Sequence, residues 1–448
     1  MRVAMVGSGY VGLVSGACFA DFGHEVTCID SDGERVEALT RLDIPIYEPG
    51  LNDLIAKNVR EKRLTFTAEL AGAISNAEIV FIAVGTPSRR GDGFADLSYV
   101  YKATRQIVPA LSSTTILAVK STVPVGTGDE VERIVREIRP SADVKVASNP
   151  EFLREGAAIN DFKRPDRVVL GVEDKHAEHM LAELYRPLSL NQVPLLITNR
   201  RTAELIKYAA NAFLAMKITY INELADLCEK VGINVQEVAR GIGLDNRIGT
   251  KFLHAGPGFG GSCLPKDAIA LVKTAQDAGT PLRLLETTIA VNNARKQTIS
   301  RKVIGALGGS VRGRRIAILG ITFKPNTDDI REAPALSIIQ ALQDGGARIA
   351  AYDPEGMPSA KLVIKEVDWA TGPYECATGA DALVIITEWD AFRALDFKRL
   401  KTLMARPVLV DLRNIYRKQE LAAHGFRYIS VGRPEEGGII ATASEAAE

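Results

Sequence analysis

The chain has 448 residues, of which 46% are hydrophobic and 25% charged, and its 55 Lys and Arg are balanced by 55 Asp and Glu. That length exceeds one ordinary core and predicts two or three domains. A formal charge of zero argues against nucleic acid or a membrane surface as the main partner.

The opening "MRVAMVGSGYVGLVSGACFA" has the outline of a signal peptide, one basic residue and then an apolar run. Its interior glycines and the strand-like "RVAMV" predict a buried first strand instead. Apolar, β-branched runs then alternate with helical stretches: "EVTCID", "EIVFIAV", "TTILAVK", "DVKVAS" and "DRVVLGV". Such alternation predicts repeated βα units and a mostly parallel sheet. Over 202–231 the pattern changes to one long helix, with Leu205, Ile206, Ala209, Phe213, Met216 and Tyr220 at helical spacing. Lys207, Lys217, Glu223 and Asp226 within it argue against a bilayer span. After a second helical region over 266–307, βα alternation resumes with "RRIAILG", a helix over 334–345, "ARIAAYDP", "DALVIITEW" and "PVLVDLRN". Both halves read strand, turn, helix, strand ending in Asp, namely Asp30 and Asp353. The closing "EEGGIIATASEAAE" reads as a mobile tail.

"GSGYVG" directly follows the first strand and opens a helix, and the next strand delivers Asp30. In that context GxGxxG predicts dinucleotide binding. Gly7 permits the tight turn, Gly9 lets the backbone approach a pyrophosphate, and Gly12 lets helix and strand pack closely. Asp30 would accept hydrogen bonds from ribose hydroxyls and repel a 2′-phosphate, favouring NAD over NADP, although Arg35 nearby works against that repulsion. Further strand ends at Gly85, Thr86, Pro87 and at Ser121, Thr122 fall where a doubly wound sheet presents its crevice. One of the two hydroxyls Ser121 and Thr122 is expected to serve an ordinary turn or cap.

The loop "SNPEFLREG" interleaves Glu151, Arg154 and Glu155 with Phe152 and Leu153, and taken alone reads as a solvated loop. Glu204, Lys207 and Asn211 form a polar stripe on one face of the long helix; a solvated face is the ordinary expectation for such residues.

The five cysteines, Cys18, Cys28, Cys228, Cys263 and Cys376, are odd in number and lie in no CxxC pair. Neither a disulfide framework nor a zinc site follows, and a reducing cytoplasm is the expected compartment. Cys18, Cys28 and Cys228 read as small buried hydrophobes. Packing does not explain Cys263, which ends the glycine-rich run "GPGFGGSC" just before Lys266 and Asp267. Such a turn holds a side chain at a defined point, and adjacent positive charge makes thiolate available as a nucleophile. No metal-binding motif occurs, and His176 and His179 on one helix face are not a ligand set.

In order, "GSGYVG", "STVPVGT", "SNPEFLREG", Lys207 with Asn211, "GFGGSCLPKD" and "GITFKPNTDDIREAP" resemble the nucleotide-sugar dehydrogenases over nearly the whole chain. The stretch "DNRIGTKFLHAGPGFGGSC" favours the branch acting on UDP-glucose over the GDP-mannose branch. The resemblance implies an α/β fold of two Rossmann-like doubly wound parallel-sheet domains joined by a long central helix. Its expected parts are an NAD-binding domain over 1–200, a helical linker and dimerisation region with the cysteine loop over 201–308, and a UDP-sugar domain over 309–448. It implies four-electron oxidation of a sugar alcohol to a carboxylate, with Cys263 as nucleophile and Lys207 and Asn211 stabilising oxyanions. Asp267 would orient or activate water, helped by Glu151 and Thr122. NAD would be held by Gly7, Gly9, Tyr10, Val11, Gly12, Asp30, Arg35, Thr86, Thr122, Glu155, Lys266 and Arg331. The sugar nucleotide would meet Phe152, Leu153, Arg154, Lys207, Asn211, Phe252, Leu253, Gly260, Lys324 and Arg413, while Arg247 would reach the substrate of a neighbouring subunit in a homodimer. A two-electron hydroxyacid dehydrogenase shares the first domain and the lysine/asparagine helix, but needs neither Cys263 nor a second nucleotide domain.

Overall fold

The computed structural model describes residues 1–89, 93–111 and 114–434, so the C-terminal segment read as a tail lies outside the described residues. The first set of apolar runs forms strands β1 (Arg2–Val6), β2 (Glu25–Ile29), β3 (Leu64–Thr67), β4 (Ile79–Ile82), β5 (Thr115–Val119), β6 (Val144–Ser148), β7 (Val168–Gly171) and β8 (Leu195–Thr198). They pair in the order β3-β2-β1-β4-β5-β6-β7-β8. Neighbours are parallel except β6 and β7, which meet antiparallel at Ser148 and Gly171.

The second set forms β9 (Arg315–Leu319), β10 (Arg348–Tyr352), β11 (Val367–Trp369), β12 (Ala382–Ile385), β13 (Val408–Asp411) and β14 (Arg427–Ser430). Their order is β11-β10-β9-β12-β13-β14, parallel throughout. Numbered within each sheet, both contain the 3-2-1-4-5-6 succession of dinucleotide-binding domains. Two doubly wound α/β sheets are therefore present, as the alternation predicts.

Helices cover both faces of each sheet, which is why the central strands, past the leading arginines of β1 and β9, are apolar on both faces rather than alternately. On β1, Val3 and Met5 enter one core with Leu13 and Phe19, while Ala4 and Val6 enter another with Val80 and Ile82. On β9, Ile316 and Ile318 divide from Ala317 and Leu319 in the same way. Each fully buried Val, Ile, Leu, Met or Phe among them contributes about 1.5–3 kcal/mol.

Contacts divide the chain into two compact units, Met1–Asn211 with Ile269–Pro281, and Ala212–Ala268 with Leu282–Glu448. The long helix is a single element, Arg200–Val231. The second helical region is three helices, Leu264–Asp277, Arg283–Thr298 and Ser300–Ala306. Gly279, with φ +70°, and Pro281 separate the first two, because neither left-handed backbone nor proline continues a helix. No helix among the described residues is long and apolar enough to cross a membrane.

Candidate active site

In the first unit, the turn after β1 is built by its glycines. Gly7 has φ +104°, and its amide donates to the Ile29 carbonyl at 2.8 Å. A Cβ on Gly12 would lie 1.8 Å from the Gly7 carbonyl oxygen, so the helix Tyr10–Asp21 approaches the strand only with glycine there. Gly9 is different: a Cβ on it would meet nothing within 4 Å. No side chain caps this helix and its first turn holds no acidic residue, so its amides are left to bind an anion. That open space and those amides fit the pyrophosphate of a dinucleotide. Asp30 accepts from the Ser8 amide at 2.8 Å and from Arg35 Nη1 at 3.3 Å. Arg35 is thereby drawn onto the Asp30 carboxylate. The Tyr10 hydroxyl donates to Glu48, and burial, then that carboxylate, hold the phenol well above its ordinary range. Val11 and Glu155 are half-buried. Thr86 Oγ1 donates to the Thr122 carbonyl at 2.9 Å, and Ser121 Oγ to the Val84 carbonyl at 2.6 Å. Ser121 is therefore the hydroxyl that serves the turn.

The polar stripe of the long helix is buried, contrary to a solvated face: Glu204, Lys207 and Asn211 are 2%, 3% and 8% exposed. Glu204 accepts from the amides of Gly126 and Gly128 at 2.7 and 2.8 Å and from Ser148 Oγ at 3.0 Å. It caps the helix Thr127–Ile138 from outside, and burial, opposed by these bonds, raises its pKa. Lys207 Nζ lies 3.2 Å from Glu151 Oε1, and 5.3 Å from the centre of the Phe152 ring, which the Arg167 guanidinium covers at 3.6 Å. Thr122, Ser148, Pro150, Glu204 and Lys207 line one small cleft. The first half of the loop "SNPEFLREG" is accordingly buried beside that cleft rather than solvated. Glu151 also accepts from the Leu153 amide. Arg154, by contrast, is exposed and held by Asp161 through its amide, Nε and Nη2.

In the second unit, Cys263 stands immediately before the helix Leu264–Asp277, and its carbonyl accepts from the Asp267 amide at 2.9 Å. The positive end of that helix's dipole favours negative charge beside it. Cys263 is half-buried, whereas Cys18, Cys28, Cys228 and Cys376 are buried; burial pushes the Cys18, Cys28 and Cys376 thiols up to about 12. Lys266 Nζ bonds Asp267 Oδ1 at 2.6 Å, with Asp267 only 1% exposed. Ser262 Oγ lies 3.5 Å from Cys263 Sγ.

The cysteine loop is held by residues not singled out in the sequence. Asn292 exchanges two hydrogen bonds with Phe259, at 2.9 and 3.1 Å. Arg295 Nε donates to the Gly256 carbonyl at 2.7 Å, and Asn222 accepts from the Gly256 amide at 2.8 Å. Asn292, Arg295 and Lys296 share one buried face of the helix Arg283–Thr298. Three polar residues at that spacing are the available signal, but it resembles any solvated face. Gly260 packs so closely that a Cβ would sit 2.3 Å from the Glu332 carbonyl oxygen. Near the loop's start, Leu253 is buried, and Phe252 adopts φ +65°. Arg413 pairs with Glu388, whereas Arg331 is exposed and pairs with Asp329 at 2.8 Å. Lys324 Nζ lies 5.4 Å from the Phe323 ring centre. Arg247 is 89% exposed along its side chain, with its neighbour Asp245 as partner.

A doubly wound fold with a glycine turn of the dinucleotide-binding kind belongs to the class of nucleotide-binding α/β proteins, and comparison with known proteins narrows the class. Residues 1–189, 201–294 and 317–418 match, in turn, the NAD binding, central and UDP binding domains of the UDP-glucose/GDP-mannose dehydrogenase family. The chain belongs to that family. It is 66% identical to a UDP-glucose 6-dehydrogenase of Rhizobium meliloti (strain 1021), covering 97% of this chain and 100% of that protein. To the UDP-glucose 6-dehydrogenase TuaD of Bacillus subtilis (strain 168) it is 47% identical, over 97% and 93% of the two chains. The solved UDP-glucose dehydrogenase of Pyrobaculum islandicum aligns with a TM-score of 0.88 at 36% identity, covering 96% of each chain.

Proposed function

We propose that the protein oxidises UDP-glucose at C6 to UDP-glucuronate, a four-electron reaction at one carbon. The observation that carries the proposal is Cys263, the half-buried cysteine at a helix start beside Lys266 and buried Asp267. When bound, NAD supplies the hydride acceptor for each oxidation, held by the Gly7–Gly12 turn, Asp30 and the strand-end residues Thr86 and Thr122.

An aldehyde is a poor hydride donor. Thiolate addition at C6 forms a C–S bond and an oxyanion that Lys207 and Asn211 stabilise. The resulting thiohemiacetal gives up a hydride readily and becomes a thioester. Water attacks that thioester, the C–S bond breaks, and the thiolate is regenerated as the acid leaves. In this reading Asp267 orients the water, with Glu151 and Thr122 assisting.

Phe152, Leu153 and Arg154 with Phe252, Leu253, Gly260, Lys324 and Arg413 are the proposed sugar-nucleotide contacts. We assign 1–200 to cofactor binding, 201–308 to linkage, the cysteine loop and dimerisation, and 309–448 to the UDP moiety. A homodimer is supported by the long helix, which leaves Phe213, Tyr220 and Leu227 more than half exposed. The test is stoichiometric: two NADH formed per UDP-glucose consumed supports the proposal. One would indicate a two-electron dehydrogenase, and turnover of GDP-mannose in preference would reassign the substrate.

A further inference from the structure

Lys120 follows β5 and is 2% exposed, yet the mechanism above gives it no part. Its Nζ bonds two neutral oxygens, Asn149 Oδ1 at 3.1 Å and the Tyr185 hydroxyl at 3.2 Å. The rings of Phe81, Phe162 and Tyr185 surround it at 5.6–5.9 Å from their centres. No carboxylate among the described residues forms a salt bridge with it. A buried cation held this way is costly to keep, so its neighbours indicate what it does.

Asn149 is the group it holds most directly. The Asn149 amide donates to the Val119 carbonyl at 2.8 Å, Nδ2 donates to the Val169 carbonyl at 2.9 Å, and Oδ1 accepts from Tyr185 at 2.6 Å as well as from Lys120. The knot ties β5, β6 and β7 together where β6 and β7 share a single antiparallel pairing. Asn149 is followed by Pro150, whose φ is fixed by its ring, and then by Glu151. The anchor is thus transmitted by a stiff link to the carboxylate that meets Lys207.

We propose that Lys120 is a positioning residue for the Glu151–Lys207 pair, its ammonium fixing the strand end that carries Glu151 and biasing the field in which the pair sits. The charged groups that face it are Glu151, which favours its protonated form, and Lys207, which opposes it; burial outweighs both and brings its pKa down to about 8. The Tyr185 phenol is pushed up by burial and stays neutral. Lys120 therefore loses its charge within the working range of a dehydrogenase assay. The inference rests on the proposed role of Glu151.

The test compares kcat/KM for UDP-glucose between the wild type and Lys120→Met as a function of pH. Methionine fills the aromatic box without charge and leaves the Asn149–Tyr185 bond in place. The variant should be slower by about tenfold at pH ~6.5, and the deficit should shrink to about twofold by pH ~9.5, as wild-type Lys120 loses its own charge. A deficit independent of pH, or none, overturns the proposal, since a packing role has no titration. Should Lys120→Met fail to fold, Tyr185→Phe keeps the ring but removes one acceptor. It should move the midpoint of the pH dependence down by about half a unit, and an unmoved midpoint overturns the proposal equally. Glu151→Gln separates the two readings. Full activity in that variant removes Glu151 from the reaction and this inference with it. A crippled Glu151→Gln beside a pH-independent Lys120→Met deficit sinks the Lys120 proposal alone.

Discussion

A thiol at a helix start can be replaced by the same geometry with poorer chemistry. In Cys263→Ser the hydroxyl still adds to the aldehyde, but the oxygen ester formed hydrolyses far more slowly than a thioester. Acid production should fall by about a thousandfold or more, with a sugar-nucleotide adduct accumulating on the serine. Intact-protein mass spectrometry reads this out, and near-normal acid formation would remove Cys263 from the mechanism. The glycines of the first turn allow a second comparison, because Gly9 and Gly12 are constrained by different partners. Gly12→Ala drives a methyl into the Gly7 carbonyl and should cost about 2 kcal/mol or more. Gly9→Ala meets no protein atom and has an ordinary φ of −74°, so its melting temperature should hold while NAD affinity falls about tenfold. Thermal melts and NAD titrations check the pair, and the opposite pattern would refute the assignment of the open space to cofactor.

Among the elements, the helix Tyr10–Asp21 ends on an acidic residue, the wrong sign for a helix C-terminus. Two lysines from other helices offset it: Asp21 receives hydrogen bonds from Lys57 at 2.8 Å and Lys163 at 2.6 Å. Burial alone would raise the Asp21 pKa, but the bonds and charges of these lysines bring it down to about 2. A carboxylate whose folded pKa lies below its unfolded value stabilises the fold above the unfolded value, and loses that contribution as pH falls through the folded one. Asp21 should therefore contribute about 1–2 kcal/mol at neutral pH, lost between pH ~4 and ~2. Asp21→Asn should lower neutral-pH stability by that amount and flatten the acid limb of a denaturation series; an unchanged limb contradicts the clamp. The same scale shows what a sequence carries. β1, β4, β5 and β9 are legible because burial on both faces leaves an uninterrupted apolar run. β3, β8, β11 and β14, of three or four residues, offer too few positions for a period. The side chains of β8 are moreover mostly exposed. Cys263 and the glycine turn are legible because their composition is costly without a function. Glu204, Lys207 and Asn211 are not, since the same spacing serves water or a buried cleft. Asn149 with Lys120, and Asn292 with Phe259, are invisible for another reason: partners 29 and 33 residues apart leave no local pattern.

For the whole molecule, Phe213, Tyr220 and Leu227 recur seven apart on one helix and are 58%, 54% and 55% exposed. A seven-residue repeat makes a seam suited to a second helix. Phe213→Glu with Tyr220→Glu should turn a dimer into a monomer in light scattering at micromolar concentration, with helix content kept; a wild type already monomeric would refute the homodimer. The internal repeat also decides which sheet takes the cofactor. Gly320, with φ +92°, repeats Gly7, and its amide bonds the Tyr352 carbonyl at 2.9 Å as Gly7 bonds Ile29. Asp353 repeats Asp30, but it is 0% exposed and bonds the amides of Ile321, Thr322, Glu355 and Gly356 and the Trp389 indole. Its lone pairs are committed inside the protein and leave none for a ribose.

The first unit is not one stretch of chain: Met1–Asn211 is completed by Ile269–Pro281. Within it, Lys273 Nζ lies 5.9 Å from the Phe94 ring centre, and Ile269 closes on Gly93 so tightly that a Cβ there would come within 2.7 Å. A ribosome adding about 5–20 residues per second exposes the eight strands of the first sheet several seconds before it releases the segment that completes the unit. During that interval Gly93 and Phe94 lack their contacts with Ile269 and Lys273, and a nascent chain released only as far as residue 211 should be cut beside Phe94 by a protease that spares it once residue 281 has emerged.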